Sequence, residues 1–412
     1  MSSSTPISSP QATSAAVGAP PLRIAVVGAG PVGLALGLLA ARHLPQAQIT
    51  LFDARPADKD VSGDPRVLAL SLGSVQMLQQ LRAWDAASAQ PIQEVMVSQQ
   101  PPGTLPLGGQ PQVNIRARDE GVPMLGAVLS YGAVVAPLQR AWFEQAQGEP
   151  QRLFTRFGTP VASFKPVPGG VEVDAGIAET YDLAVVAEGG VFAEQARKTI
   201  ARDYGQTAWI GTVTLQGARP GLAIERFTRQ GPAALLPLPM GADGEQRASL
   251  VWCVDSSDDP VKDLTDAQRL AVLSSIFPAE AGRLVSLTPM KAFALGLNAE
   301  RTLARERTVR IGNAAQTLHP VAGQGLNLGL RDAYTLVHAL KRADSIESAL
   351  RRVEFQRAPD RWSTIAVTDF LARTFTWQVP GLPTARALGL ALLQAVPPLK
   401  SALARQMMFG RR

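Results

Sequence analysis

The sequence predicts an α/β fold with an α+β second domain, and three stretches carry that reading. Near the start, Leu-Arg-Ile-Ala-Val-Val at residues 22–27 has the pattern of a buried parallel strand. It feeds into Gly28-Ala29-Gly30-Pro31-Val32-Gly33 and then an apolar helix over residues 34–43. Far downstream, residues 309–332 read as strand, loop and helix. Val309 and Ile311 alternate with Arg310, Gly312 ends the strand, and apolar residues from Leu326 to Leu340 recur at roughly helical spacing. Between these stretches, residues 209–215 and 248–254 alternate as strands of a mainly antiparallel sheet.

Each early glycine has a task. Gly28 makes the tight turn, Gly30 lets a pyrophosphate approach the backbone, and Gly33 lets the helix pack on the strand. A second strand, residues 49–52, ends at Asp53, which stands 20 residues after Gly33, the distance expected of an acid that holds a ribose hydroxyl. Strand, glycines, helix and acid together mark a dinucleotide site without separating FAD from NAD. In the downstream loop, Pro320, Gly323 and Gly325 let the backbone turn sharply and approach a ligand. A helix starting just after Gly325 aims its unpaired N–H groups and the positive end of its dipole into that loop. A ring that becomes anionic on reduction, such as a flavin, suits that place.

Composition narrows the class. With 412 residues, 46% hydrophobic, the chain can bury a large core and form two or more domains. Cys253 is the only cysteine, which rules out an intrachain disulfide and fits a reducing compartment, hence a cytoplasmic protein. Residues 1–21 are rich in Ser, Ala and Pro and read as a disordered tail. From Arg301 onward, 17 Lys and Arg face 7 Asp and Glu, while the first 300 residues carry a net charge of −4. Such a basic C-terminal region suits an anionic membrane surface or acidic partners. Nucleic acid is not expected, because no aromatic-interleaved basic groove is present. Residues 384–399 are apolar but broken at Pro397-Pro398, too short to span a bilayer, and able to lie on the inner face of a membrane. No zinc-spaced cluster is visible. His43 and His338 fall in helices as structural residues.

The run Gly312-Asn313-Ala314-Ala315, followed by His319-Pro320-Val321-Ala322-Gly323-Gln324-Gly325-Leu326-Asn327-Leu328-Gly329, resembles the second FAD-binding motif of the aromatic-ring flavoprotein monooxygenases. Within that group it is most similar to the ubiquinone-biosynthesis hydroxylases, the 2-octaprenyl-6-methoxyphenol hydroxylases in particular. Residues 225–238, Glu-Arg-Phe-Thr-Arg-Gln-Gly-Pro-Ala-Ala-Leu-Leu-Pro-Leu, resemble the same hydroxylases. The resemblance runs from Arg23 to about Phe375. It implies a Rossmann-type FAD-binding domain in pieces (22–75, 101–190 and 291–345), an inserted antiparallel-sheet substrate domain (76–100 and 191–290) and a helical C-terminal tail (346–412).

The resemblance also assigns roles. Arg66 reaches the cofactor, and Gln139 replaces a polar contact that relatives make one turn earlier, where Ala136 stands. Glu188, before Gly189, takes the place of an Asp associated with NAD(P)H use, and serves equally well as a helix cap. Asn313 lies beside the ribityl chain; Gly325, Leu326 and Asn327 supply backbone donors at the flavin; Pro320 shapes the loop; and His319 is a candidate proton relay. Phe227, Leu235, Leu236 and Pro237 form an apolar cover over the ring, although about half of them read equally as ordinary sheet core, because buried strands look the same. Arg357, Asp360, Arg361, Thr368 and Asp369 match a family helix of unknown duty. The implied reaction uses FAD, O2 and NAD(P)H to hydroxylate a lipophilic phenolic quinone precursor through a flavin C4a-hydroperoxide, alongside other ubiquinone-biosynthesis proteins. A flavin reductase of the same fold, or a non-catalytic FAD-binding subunit, shares the fold but not that outcome.

Overall fold

The computed structural model describes residues 20–100, 111–189, 199–320, 323–374 and 382–410. Nearly all of the expected N-terminal tail, and Val321 and Ala322 of the flavin loop, lie outside them.

The buried run Arg23–Val27 is a central strand, because its apolar side chains are covered on both faces. It pairs in parallel with Gln48–Asp53 on one side and Leu183–Val186 on the other. Leu183–Val186 pairs in parallel with Thr308–Arg310, and Gln48–Asp53 with Leu153–Phe157. Helix α1 (Pro31–His43) is apolar all round because it is sandwiched, with Val32 to Ala41 buried. In register, Val27 stands beside both Phe52 and Val186, and Val186 beside Arg310. The carboxyl ends of four parallel strands are therefore level, and Gly28, Asp53, Glu188 and Gly312 come at or just after those ends. That edge is where open α/β sheets bind ligands.

Helices α2 (Leu72–Gln80) and α3 (Tyr131–Gly148) flank a small antiparallel sheet of Val67–Ser71, Gly126–Ser130 and Gln90–Ile92. The large, mostly antiparallel sheet centres on Ile200–Gln216, which pairs with Gln246–Asp255, Lys291–Ala299 and Arg283–Leu287. Pro232–Leu238, Leu222–Phe227, Glu94–Gln99 and Gln112–Arg116 continue it. Its outer face buries Leu222, Ile224, Leu235 and Trp252 against α4 (Asp266–Ile276), whose Leu273 and Ile276 point inward. Its inner face puts Ala223 and Leu236 against Leu72 and Val128. Leu235 therefore belongs to the outer core, and Leu236 alone of that pair faces inward.

Two expected boundaries shift. Lys291–Ala299 and Gln112–Arg116 pair into the large sheet rather than the cofactor domain. Composition could not show this, because backbone pairing with distant strands decides it.

Helix α5 (Gly325–Arg342) packs on α1 so closely that a Cβ added at Gly329 would lie 2.9 Å from the Val32 side chain. Three helices follow: α6 (Ile346–Thr374), α7 (Leu382–Ala395) and α8 (Pro397–Phe409). The last two bend by 94° at a short break.

Candidate active site

The first glycine loop is rigid through its backbone. Gly28 has φ of +102°, and a Cβ there would lie 2.9 Å from the Glu188 backbone. A Cβ on Gly33 would lie 1.8 Å from the Gly28 carbonyl oxygen. Gly30 differs: its conformation is extended, and a Cβ would meet only the Tyr131 hydroxyl, at 3.5 Å. Protein packing does not require glycine there, so the space beside it is open to a ligand. Gly325 matches it at the start of α5, with nothing within 4 Å of an added Cβ. Neither terminus has a side-chain cap among the described residues. Two uncapped helix starts, each behind a bare glycine, suit the pyrophosphate and the ring of a flavin dinucleotide.

Asp53 closes the first loop. Its Oδ2 accepts the Ala29 N–H at 2.5 Å, and its Oδ1 accepts the Arg55 N–H at 2.8 Å and Nε–H at 3.0 Å. Arg55 also donates to the Ala29 carbonyl at 2.8 Å. Asp53 is thus a brace for the loop, and Arg55 Nη2 reaches its Oδ2 as well, at 3.4 Å. Glu188 sits near it, and burial, then the charge of Asp53, raise its carboxyl above the usual range. Arg66 pairs with Asp64 at 2.7 Å and lies 4.1 Å from the centre of the Tyr131 ring, so it meets the loop through Tyr131. Asn313 is brought against Gly189, with 3.2 Å between its Cβ and a Cβ built on that glycine. Gln139 is not brought to this cluster. Its Oε1 is buried without a partner beside a cavity of about 320 Å³ between α3 and residues 57–61, whose walls contain neither the glycines nor Asp53.

The second loop is held by side chains. Asn327 Oδ1 accepts the Ser71 N–H at 2.8 Å and the Ser74 hydroxyl at 2.7 Å, while Nδ2 donates to the Ala69 and Gly323 carbonyls at 3.0 and 2.9 Å. Its side chain is fully engaged within the protein, which leaves only its backbone N–H for a flavin. Gly323 has φ of +57°, and its N–H donates to the Pro320 carbonyl at 3.0 Å, closing the turn that Pro320 begins. Arg331 donates to Gln324 Oε1 at 3.2 Å. That arginine belongs to a buried cluster in which Arg357 bridges Asp332 and Asp360, each at 2.7 Å. The family helix thereby gains a duty: it braces the residue that precedes α5.

His319 is buried, with Nε2 3.0 Å from Gln206 Oε1 and its ring edge-on to Tyr204. The Gln206 amide donates to the Ala372 carbonyl, so its oxygen faces the imidazole and Nε2 carries the proton. Burial lowers the His319 pKa to about 4, and the ring is neutral at pH 7. Arg55, Tyr131, Gln206 and Arg331 escaped the sequence reading. Arg55, two residues after Asp53, had a visible signal; the others depend on tertiary contacts alone.

A family model described as an FAD binding domain matches residues 200–349, a stretch that includes the second loop but not the first. Ubiquinone hydroxylase UbiL of Rhodospirillum rubrum is 28% identical over 369 residues, covering 84% of this chain and 80% of its own. The 3-demethoxyubiquinol 3-hydroxylase of Escherichia coli is 29% identical over 391 residues, covering 90% and 94%. The crystal structure of Klebsiella pneumoniae HpxO complexed with FAD and uric acid matches with a TM-score of 0.64 at 17% identity, over 93% of this chain and 97% of that one, which shows the fold. The chain is an FAD-dependent monooxygenase. In this monooxygenase Gly28, Gly30 and Asp53 come together at the first glycine loop, and residues 323–327 lie around the start of α5.

Proposed function

We propose that this monooxygenase hydroxylates the aromatic ring of a polyprenylated phenol in ubiquinone biosynthesis, with NAD(P)H as electron donor. The observation that carries the reading is the pairing of the glycine-loop cradle with a sheet whose inner face packs Ala223 and Leu236 against Leu72 and Val128 beside it. Bound FAD supplies the oxygen-inserting chemistry. The chain orients the substrate, excludes water with that apolar face and directs the α5 backbone donors at the ring. His319 is neutral at pH 7 and is held by Gln206 beside the flavin loop.

The lipophilic substrate favours contact with a membrane surface. No single helix among the described residues is long and apolar enough to cross a membrane. Leu388, Leu392, Val396 and Leu399 are exposed, while Ala404 and Met408 are buried and anchor α8 to the body. After Asp369 the chain has six Lys and Arg and no acid, which suits an anionic bilayer. One experiment tests both parts: purified protein with FAD, NAD(P)H and O2 is given a prenylated phenol in phosphatidylglycerol vesicles. Hydroxylated product and co-sedimentation with the vesicles are expected. Hydrogen peroxide without product would make the chain a reductase, and protein left in the supernatant would remove the membrane contact.

A further inference from the structure

Glu225 is a partly exposed carboxyl within the large sheet that nothing described so far uses. It lies in Leu222–Phe227 and pairs across the sheet with Ala234 on one side and Val97 on the other. Ala234 pairs with Val251; strand alternation puts Val251 and Cys253 on one face; Cys253 pairs with Ala208; and Ala208 shares its face with Gln206. Glu225 and Gln206 are therefore on the same face, the one from which Gln206 holds His319 of the flavin loop. Ala223, two residues before Glu225, packs into the inner cluster, whereas Leu222 and Ile224 face the outer core. Cys253 lies near enough that its thiol, raised first by burial, is raised further by the charge of Glu225.

The surroundings of Glu225 are unusual for an acid. The residue is partly exposed, on the inner face of the sheet. Among the described residues its carboxyl has no hydrogen bond and no ion pair. Burial alone raises it to about 8. A carboxyl that burial keeps from ionising and that has no protein partner suits a polar group arriving from outside the chain.

We propose that Glu225 is the specificity-determining contact for the substrate's ring hydroxyl, hydrogen-bonding that oxygen and thereby fixing which ring edge faces the flavin. The proposal rests on the phenolic-substrate reading above. It is tested with FAD-loaded wild type, Glu225→Leu and Glu225→Gln, titrated with 2-allyl-6-methoxyphenol and with its O-methyl ether, binding being read from the flavin absorbance. The wild type should bind the phenol about tenfold more tightly than the ether, one hydrogen bond's worth of affinity. Glu225→Leu should bind both equally, with ether affinity unchanged as the control for an intact cavity, and Glu225→Gln should keep part of the preference. A Glu225→Leu protein that still prefers the phenol tenfold overturns the contact and leaves the phenolic reading standing. Wild type that binds neither probe overturns both.

Discussion

Two helix starts follow the two glycine loops, and they are held in different ways. At α1 the backbone does the work: Gly28 takes a conformation that L side chains rarely adopt, and Gly33 fits against its carbonyl with no room for a methyl group. At α5 the glycine is unconstrained, and the loop is held by Asn327, which reaches residues some 250 positions away, and by Gln324, braced by Arg331. The first start is a local motif that any strand–helix unit can carry. The second exists only once the whole chain has folded around it.

The comparison breaks most sharply at the first start. Gly30→Val should abolish FAD binding while the apoprotein keeps its far-UV circular dichroism, because the added side chain enters ligand space. Gly33→Ala should lose both, since its Cβ has nowhere to go. If Gly30→Val protein is purified yellow with stoichiometric FAD, the pyrophosphate lies elsewhere.

The second start should break more gently and through stability. Asn327→Ala removes four hydrogen bonds and leaves the buried Ser71 N–H unpaired, a loss of about 3 kcal/mol. Urea unfolding of the apoprotein measures it. A loss below about 1 kcal/mol would mean that the loop is held by its turn at Pro320 and Gly323 rather than by this side chain.

The same contrast explains what could be read from the sequence. The glycine spacing, the distance to Asp53 and the strand–loop–helix of residues 309–332 gave the α/β frame, because each depends on neighbours in the chain. Level strand ends then bring Gly28, Asp53, Glu188 and Gly312 together without further information. Arg66 pairs with Asp64 and stacks on Tyr131, which reaches Gly30, whereas Gln139 faces a different cavity. Both depend on side-chain direction, which spacing does not encode. Glu225 stood in a recognised stretch, but its lack of a partner becomes visible only when the face it occupies is known.

The smallest expected effect concerns His319, the residue that links the second loop to the large sheet. Burial lowers its folded pKa to about 4 from the ordinary 6.5, so the unfolded chain binds more protons between those values. Stability is therefore intact above pH 6.5 and is lost as pH falls toward 4. Between pH 7 and pH 5 this one group should remove about 2 kcal/mol of unfolding free energy. Gln at this position can still hydrogen-bond to Gln206 but does not titrate, so His319→Gln should lack that part of the acid sensitivity. Urea midpoints of both proteins at pH 7 and pH 5 give the difference directly. If the wild type and the variant lose the same stability on acidification, His319 is already charged in the folded state or reaches water. The Gln206 contact would then not be the dry hinge between loop and sheet that the geometry describes.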